Sequence, residues 1–238
     1  MLQYYKIAGL TVEMDSFGRA EDHARPYMID FEGEPDIRIE ADWTPWKERT
    51  PNLSDATYEY LATGKSFYTQ LLNFDGIMVH SSALVLDGKA YLFSAPCGTG
   101  KSTHVSLWRR VFGDERVRVL NDDKPALRMI DGVWYAYGTP WSGKTAQNLN
   151  ICAPLAGIAM IERSETNEIV PFGGVRAAHE LMEQTARPPS AESRAKLLEL
   201  MNSLLEKVPV WKLKCTPTVD AALVSQKAMA AEAQKRFG

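Results

Sequence analysis

The run AYLFSAPCGTGKSTHVSLWRRVF, residues 90–112, joins a short apolar strand, a glycine-bearing loop and an amphipathic stretch in immediate succession. No other segment constrains the fold as much. A strand must hand over to a helix through Gly98, Gly100, Lys101 and Ser102. In such a unit the glycines let backbone N–H groups face an anion, and the start of the helix adds its dipole. A lysine at the helix start neutralises the outer phosphates of a nucleotide, and the hydroxyl after it takes Mg²⁺. The loop APCGTGKS (95–102) departs from the pattern G-x-x-x-x-G-K-[ST] only at Ala95. Alanine is tolerated there provided the position does not need a positive φ.

Two other segments compete for the same reading. GTPWSGKT (138–145) fits the pattern at every position, yet TAQNLNICAPLAG follows it. That stretch has no helical apolar stripe and reaches Pro154 early, so the helix N-terminus that traps the anion is missing. TGKS (63–66) has only the tail of the pattern. It closes SDATYEYLATG, which reads as a short helix starting at Ser54 or Asp55 and ending at Gly64 as a C-cap. The sequence therefore assigns the phosphates to residues 95–102.

Around this unit the chain alternates between strands and helices. QYYKIAGLTVEM, RPYMIDF and DIRIEAD carry β-type alternation. IMVHSSALVLDGKAYLFSAP reads as a hairpin turning at Asp87-Gly88, and LRMIDGVWYAYGTP as another turning at Asp131-Gly132. VRVLNDD is a β-branched strand ending in Asp122 and Asp123, and APLAGIAMIER contains a further buried strand. Helices are predicted over 174–186, 190–207 and 218–236, with the strand VPVWKLKC between the last two. The pattern is an α/β or α+β mixture with a substantial hairpin content, a β-rich N-terminal portion (1–52), a main domain (53–238) and a largely helical last third.

Acids placed beyond a strand end, next to a phosphate loop, suit phosphoryl transfer. One of Asp122 and Asp123 can hold Mg²⁺ while the other accepts the proton of an attacking hydroxyl. Cys97 lies inside the loop and reads as a small filling side chain or as a redox-sensitive thiol. In GTPWSGK, two readings stand side by side. Trp141 with Ser142, Gly143 and Lys144 can face the mouth of the site as an apolar wall and anion donors. Alternatively, the segment is a rigid hairpin exit with Trp141 in the core. His23, His104 and His179 belong to no evident constellation.

The run HSSALVLDGKAYLFSAPCGTGKST, followed by LNDDKPAL, resembles HPr kinase/phosphorylase and, more broadly, the P-loop phosphoenolpyruvate-carboxykinase-like kinases. Those proteins show a histidine opening a strand, a short hairpin, a glycine loop ending in Gly-Lys-Ser or Gly-Lys-Thr, a helix, then an Asp-Asp pair. The resemblance covers about residues 76–163. It implies a mixed sheet flanked by helices, with ATP and Mg²⁺ as cofactors. Cys97, Gly98, Thr99, Gly100, Lys101, Ser102 and Thr103 would hold the nucleotide. Ser102 and Asp122 would serve the metal. Asp123 would act as the base with His80 in support, and Lys101 at the transferred group. The flanking Leu-Asn and Lys-Pro depart from the pattern, and the later signature tied to phosphorylase activity and the protein partner is absent. HPr is therefore not implied as substrate. The chain looks closer to stand-alone HPr-kinase-like proteins, some linked to peptide-modifying gene clusters.

The expected activity is ATP-dependent phosphorylation of a hydroxyl on a small molecule, peptide or protein. A non-catalytic ATP-binding regulatory module and a carboxykinase-like transfer remain open beside it. The net charge of −3 and the absence of a long basic run argue against a nucleic-acid partner. No apolar run reaches membrane-helix length, and the early charges do not read as a signal peptide. Three well-separated cysteines form no disulfide framework. These features predict a cytoplasmic protein, and relatives of this kind often form homo-oligomers.

Overall fold

In the computed structural model, which describes residues 2–143 and 145–238, the chain opens on a hairpin of β1 (Gln3–Ile7) and β2 (Leu10–Met14). Its turn is Ala8-Gly9, with φ of 51° and 77°. Helix α1 (Gly18–Ala24) follows, then the short strands β3 (Met28–Ile29) and β4 (Ile37–Arg38), which complete a four-stranded sheet in the order β3-β1-β2-β4. Helices α2 (Thr44–Arg49) and α3 (Asp55–Leu71) lead to the rest of the chain.

A nine-stranded sheet comes next. It comprises β5 (Gly76–Met78), β6 (Ser81–Leu86), β7 (Lys89–Ser94), β8 (Arg118–Asn121), β9 (Ala126–Ile130), β10 (Val133–Tyr137), β11 (Cys152–Arg163), β12 (Glu168–Pro171) and β13 (Val210–Cys215). Helix α4 (Lys101–Phe112) lies between β7 and β8, α5 (Gly174–Glu183) and α6 (Ala191–Lys207) between β12 and β13, and α7 (Val219–Phe237) closes the chain. The order is β5-β9-β10-β11-β7-β6-β8, and β13 pairs with the C-terminal half of β11. β11 runs parallel to β7 and to β13, while the hairpins are antiparallel. This is the mixed sheet flanked by helices that the sequence predicts. Asp87-Gly88 (φ 51° and 72°) and Asp131-Gly132 (φ 50° and 80°) form the two predicted turns. Positive φ at both central residues is what a tight hairpin requires.

Strand alternation separates two cores. From β7, Ala90 and Leu92 face α5 and α6 together with Ile158, Met160, Leu181 and Leu200. Tyr91 and Phe93 face α4 and α7 together with Trp108, Ile161, Leu213 and Met229. A third core joins the N-terminal sheet to α3 through Tyr5, Val12, Met14, Phe67 and Leu71, and it includes Trp141. Among the described residues, no helix is long and apolar enough to cross a membrane.

Helix α3 corrects one expectation. Ser54 does cap it, accepting from Thr57 N at 3.3 Å. The helix does not stop at Gly64 but continues to Leu71. Gly64 is held there by packing: a Cβ on it would lie 2.9 Å from Trp141 Cδ1. A glycine that reads locally as a helix end is a contact site for an indole from far along the chain. Helices α1 and α2 and the edge strand β12 are also additions to the sequence reading.

Candidate functional site

The pairing registers bring several strand ends to one edge of the large sheet. Ser94 at the end of β7 pairs with Ser81 at the start of β6 and with Met160 near the end of β11. Arg163 in turn pairs with Cys215 at the end of β13. β8 runs antiparallel to β6, so Asp122 and Asp123 emerge at the same edge. Along that edge stand the acids after β8, His80 before β6, the loop after β7, Arg163 on β11 and Thr216 after β13. Ligands of open α/β sheets gather beyond the carboxyl ends of strands in this way.

The loop itself is built for close approach. Gly98 and Gly100 have φ of 79° and 122°, and a Cβ on either would meet nothing within 4 Å. The space above the loop is therefore open. Gly100 is the N-cap of α4 and supplies no side-chain cap, so the first N–H groups of the helix keep their donor capacity. Lys101 is 7% exposed and donates to Ala95 O at 2.9 Å and to Pro96 O at 3.4 Å. Its burial pulls its pKa down, against the charges of Asp123 and Cys97. Ser102 Oγ lies 3.3 Å from Ser82 Oγ. Thr103 is on the exposed side of the first turn, and Cys97 is exposed.

His104 is not free. It is buried, with Nε2 2.9 Å from Ser225 Oγ of α7, and Trp108 Nε1 reaches the same hydroxyl at 3.0 Å. Burial lowers its pKa to about 4, so the ring is neutral near pH 7 and docks α4 on α7.

Asp123 and His80 are in contact. His80 Nε2 is 3.0 Å from Asp123 Oδ1, and Lys124 Nζ is 2.5 Å from Asp123 Oδ2. His80 Nδ1 lies 3.0 Å from Gln184 Oε1 after α5, and His80 N donates to Gln184 O at 2.7 Å. Burial alone would raise the Asp123 pKa. The His80 hydrogen bond and the Lys124 charge outweigh it and hold the group at about 2. Buried Asn121 sets the turn, accepting from Asp123 N at 2.8 Å and Lys124 N at 2.7 Å. Lys124, Asn121 and Gln184 are members of the site that the sequence reading passed over.

A depressed folded-state pKa contributes stability above the ordinary value of 3.8 and loses it as pH falls through about 2. The shift corresponds to roughly 2 kcal/mol. The Lys124→Met protein should therefore be less stable than wild type at pH 6, with the gap closing as pH falls from about 4 to 2. Urea denaturation across that range measures it.

Asp122 faces elsewhere. Its Oδ1 accepts from Gly143 N and its Oδ2 from Thr145 Oγ1. Both oxygens are thus engaged by the segment 138–145 rather than by Ser102. That segment is not followed by a helix, and β11 is the next regular element. Trp141 is a core residue rather than a wall of the site. It is 1% exposed, stacks on Phe67 at 4.8 Å and donates from Nε1 to Thr63 Oγ1 at 3.1 Å. Ser142 is fully buried, with Oγ 3.1 Å from His23 Nδ1 and its carbonyl taking Arg19 Nη2 at 3.1 Å and the Tyr60 hydroxyl. The donors of Ser142 and Gly143 are spent within the fold, which leaves none for an outside anion. Lys144 lies outside the described residues.

Two cavities open beside the loop on opposite faces of the sheet. One, of about 870 Å³, runs from Ala95–Thr99 past His179 and Lys212 to Gln184. The other, of about 360 Å³, lies between α4 and the ends of β11 and β13. Arg163 stands between them, donating from Nε to Thr99 O at 3.1 Å and from Nη2 to Gly98 O. Among the described residues no cluster of three or more His, Cys, Asp or Glu side chains forms a ready cation cage. A nucleotide-bound Mg²⁺ relies instead on phosphate oxygens and water, with one or two protein ligands.

No curated protein matches this sequence. Among solved structures, the HPr(Ser) kinase/phosphatase from Coxiella burnetii is similar over 68% of this chain and 99% of that one, with 11% identity and a TM-score of 0.38. The family model described as SynChlorMet cassette protein ScmC matches residues 55–220, from the start of α3 into α7 and across the whole of the edge just described. The chain belongs to the ScmC family.

Proposed function

We propose that this protein is an ATP-dependent phosphotransferase of the HPr-kinase-like, P-loop type, transferring the γ-phosphoryl group to a hydroxyl. One observation carries the reading: an open glycine loop at a helix start shares a sheet edge with a carboxylate flanked by an imidazole and an ammonium. The loop amides and Lys101 suit the triphosphate. Ser102 and the phosphate oxygens would hold Mg²⁺, which neutralises charge on the transferred group.

The acceptor oxygen forms a bond to the γ-phosphorus as the bond to the β-γ bridging oxygen breaks, and ADP leaves with that electron pair. The hydroxyl proton passes to Asp123. A carboxylate held near 2 is a weak base, and its low pKa comes partly from Lys124. Movement of Lys124 onto the phosphoryl oxygens would free Asp123 Oδ2 and raise its basicity, coupling binding to activation. His80, held through Gln184, keeps the carboxylate oriented.

The test is incubation of the protein with γ-labelled ATP and a cell extract. Wild type should yield a labelled metabolite, peptide or protein. Lys101→Ala should lower nucleotide affinity by about 10²-fold or more and abolish the label, since a charged donor to phosphate is lost. ATP binding with no labelled product in any fraction would leave a nucleotide-binding module without turnover.

A further inference from the structure

The loop sits midway along the sheet edge, with unlike neighbours on its two flanks. Asp123, His80 and Lys124 lie on the β6/β8 side. Ser102 Oγ points the same way, toward Ser82 on β6. The transferable end of a bound triphosphate belongs on that flank. Its other end must leave along the first turn of α4, because the loop amides cradle the α- and β-phosphates while the lysine reaches the β- and γ-phosphates. Thr103 and Leu107 share one face of α4, next to its N-cap Gly100 and turned away from Ser102 by the helical period.

That face forms one wall of the 360 Å³ cavity. Ile161 and Pro217 give it further apolar surface, and Thr216 and Arg163 add polar groups at the ends of β13 and β11. The volume is within the range of small-molecule sites, about 300–1,000 Å³. The Arg163 guanidinium is planar and exposed, and such groups stack on the faces of bases. The larger cavity leads elsewhere. It ends at Gln184, which holds His80, so it opens on the chemistry from the acceptor's side.

We infer that the cavity between α4 and the ends of β11 and β13 receives the base and ribose of a nucleoside triphosphate, with Arg163 at its rim. This rests on the phosphotransferase reading above. It separates nucleoside and acceptor onto opposite faces of the sheet, with the phosphates crossing at the loop.

Calorimetric titration with Mg·ATP and with Mg·tripolyphosphate tests it. Wild type should bind ATP at least about tenfold more tightly than tripolyphosphate. Ser164 lines the cavity at the end of β11. Ser164→Trp fills the space and should bring ATP affinity down to that of tripolyphosphate while tripolyphosphate binding stays as in wild type, which also shows that the fold is intact. Arg163→Ala should narrow the preference in the same direction.

Wild-type affinity for ATP in Ser164→Trp overturns the assignment, as does equal affinity of wild type for the two ligands. Photolabelling of wild type with 2-azido-ATP gives an answer independent of any variant. Label on residues 161–164 or 215–217 supports the assignment, and label on 179–184 or Lys212 overturns it. Binding of neither ligand to wild type instead removes the phosphate-loop reading on which the inference rests.

Discussion

Asp123→Asn is expected to slow phosphoryl transfer by about 10²–10⁴-fold, the usual contribution of a positioned general base, while leaving the affinity for Mg·ATP within about twofold of wild type. The substitution keeps the shape of the side chain and an oxygen for His80, which lies 3.0 Å from Oδ1. It removes proton-accepting capacity and the charge that holds Lys124. Asp123 makes no hydrogen bond to residues 95–102, where the phosphates are proposed to sit, so binding has little reason to change. Loss of a negative charge felt at Lys101 acts, if anything, to strengthen it. Single-turnover transfer from γ-labelled ATP measures the rate, and calorimetry measures the affinity. Transfer at the wild-type rate would place the proton elsewhere.

The parts of this arrangement that could be read from the chain alone are those whose physics is local. The strand, glycine loop and helix of residues 90–112 are contiguous, and each residue's role follows from its neighbours. The turns at Asp87-Gly88 and Asp131-Gly132 are equally local. The meeting of His80 with Asp123 is not local, and it came from resemblance rather than from periodicity. Gln184, Arg163 and Lys124 carry no signal of their own. Their places depend on the strand order β8-β6-β7-β11-β13, which a hydrophobic pattern does not determine.

The same limit explains the errors. His23, without a motif of its own, holds the buried hydroxyl of Ser142. Asp122, next to Asp123 in sequence, turns to Gly143 and Thr145 because the two residues leave the β8 end in different directions. Two adjacent acids that look interchangeable in sequence thus have separate surroundings: one beside His80 and Lys124 at the sheet edge, the other clamping the segment after β10.

The segment that Asp122 clamps is also anchored on α3 by Trp141, and Trp141→Ala is expected to be the most destabilising single change considered for this chain. Truncating a buried aromatic costs about 3–5 kcal/mol, and for a chain of this size that lowers Tm by roughly 10 °C. The indole stacks on Phe67 at 4.8 Å, meets Tyr68 edge-on at 5.5 Å and donates to Thr63 Oγ1 at 3.1 Å. It lies against Gly64, so its loss opens a void that the bare backbone of α3 cannot fill. Trp141→Phe keeps the stacking and loses only the hydrogen bond and part of the contact, so it should cost less, about 1–2 kcal/mol. Urea denaturation of the three proteins gives the ranking. A Trp141→Ala protein that melts with wild type would mean that α3 and the segment after β10 are held together by other contacts. Other contacts between them include the Tyr60 hydroxyl, which donates to the Ser142 carbonyl, and the Tyr68 hydroxyl, 2.9 Å from Thr139 Oγ1. These are buried hydrogen bonds, and neither replaces the apolar area that the indole buries against Phe67, Tyr68 and Gly64.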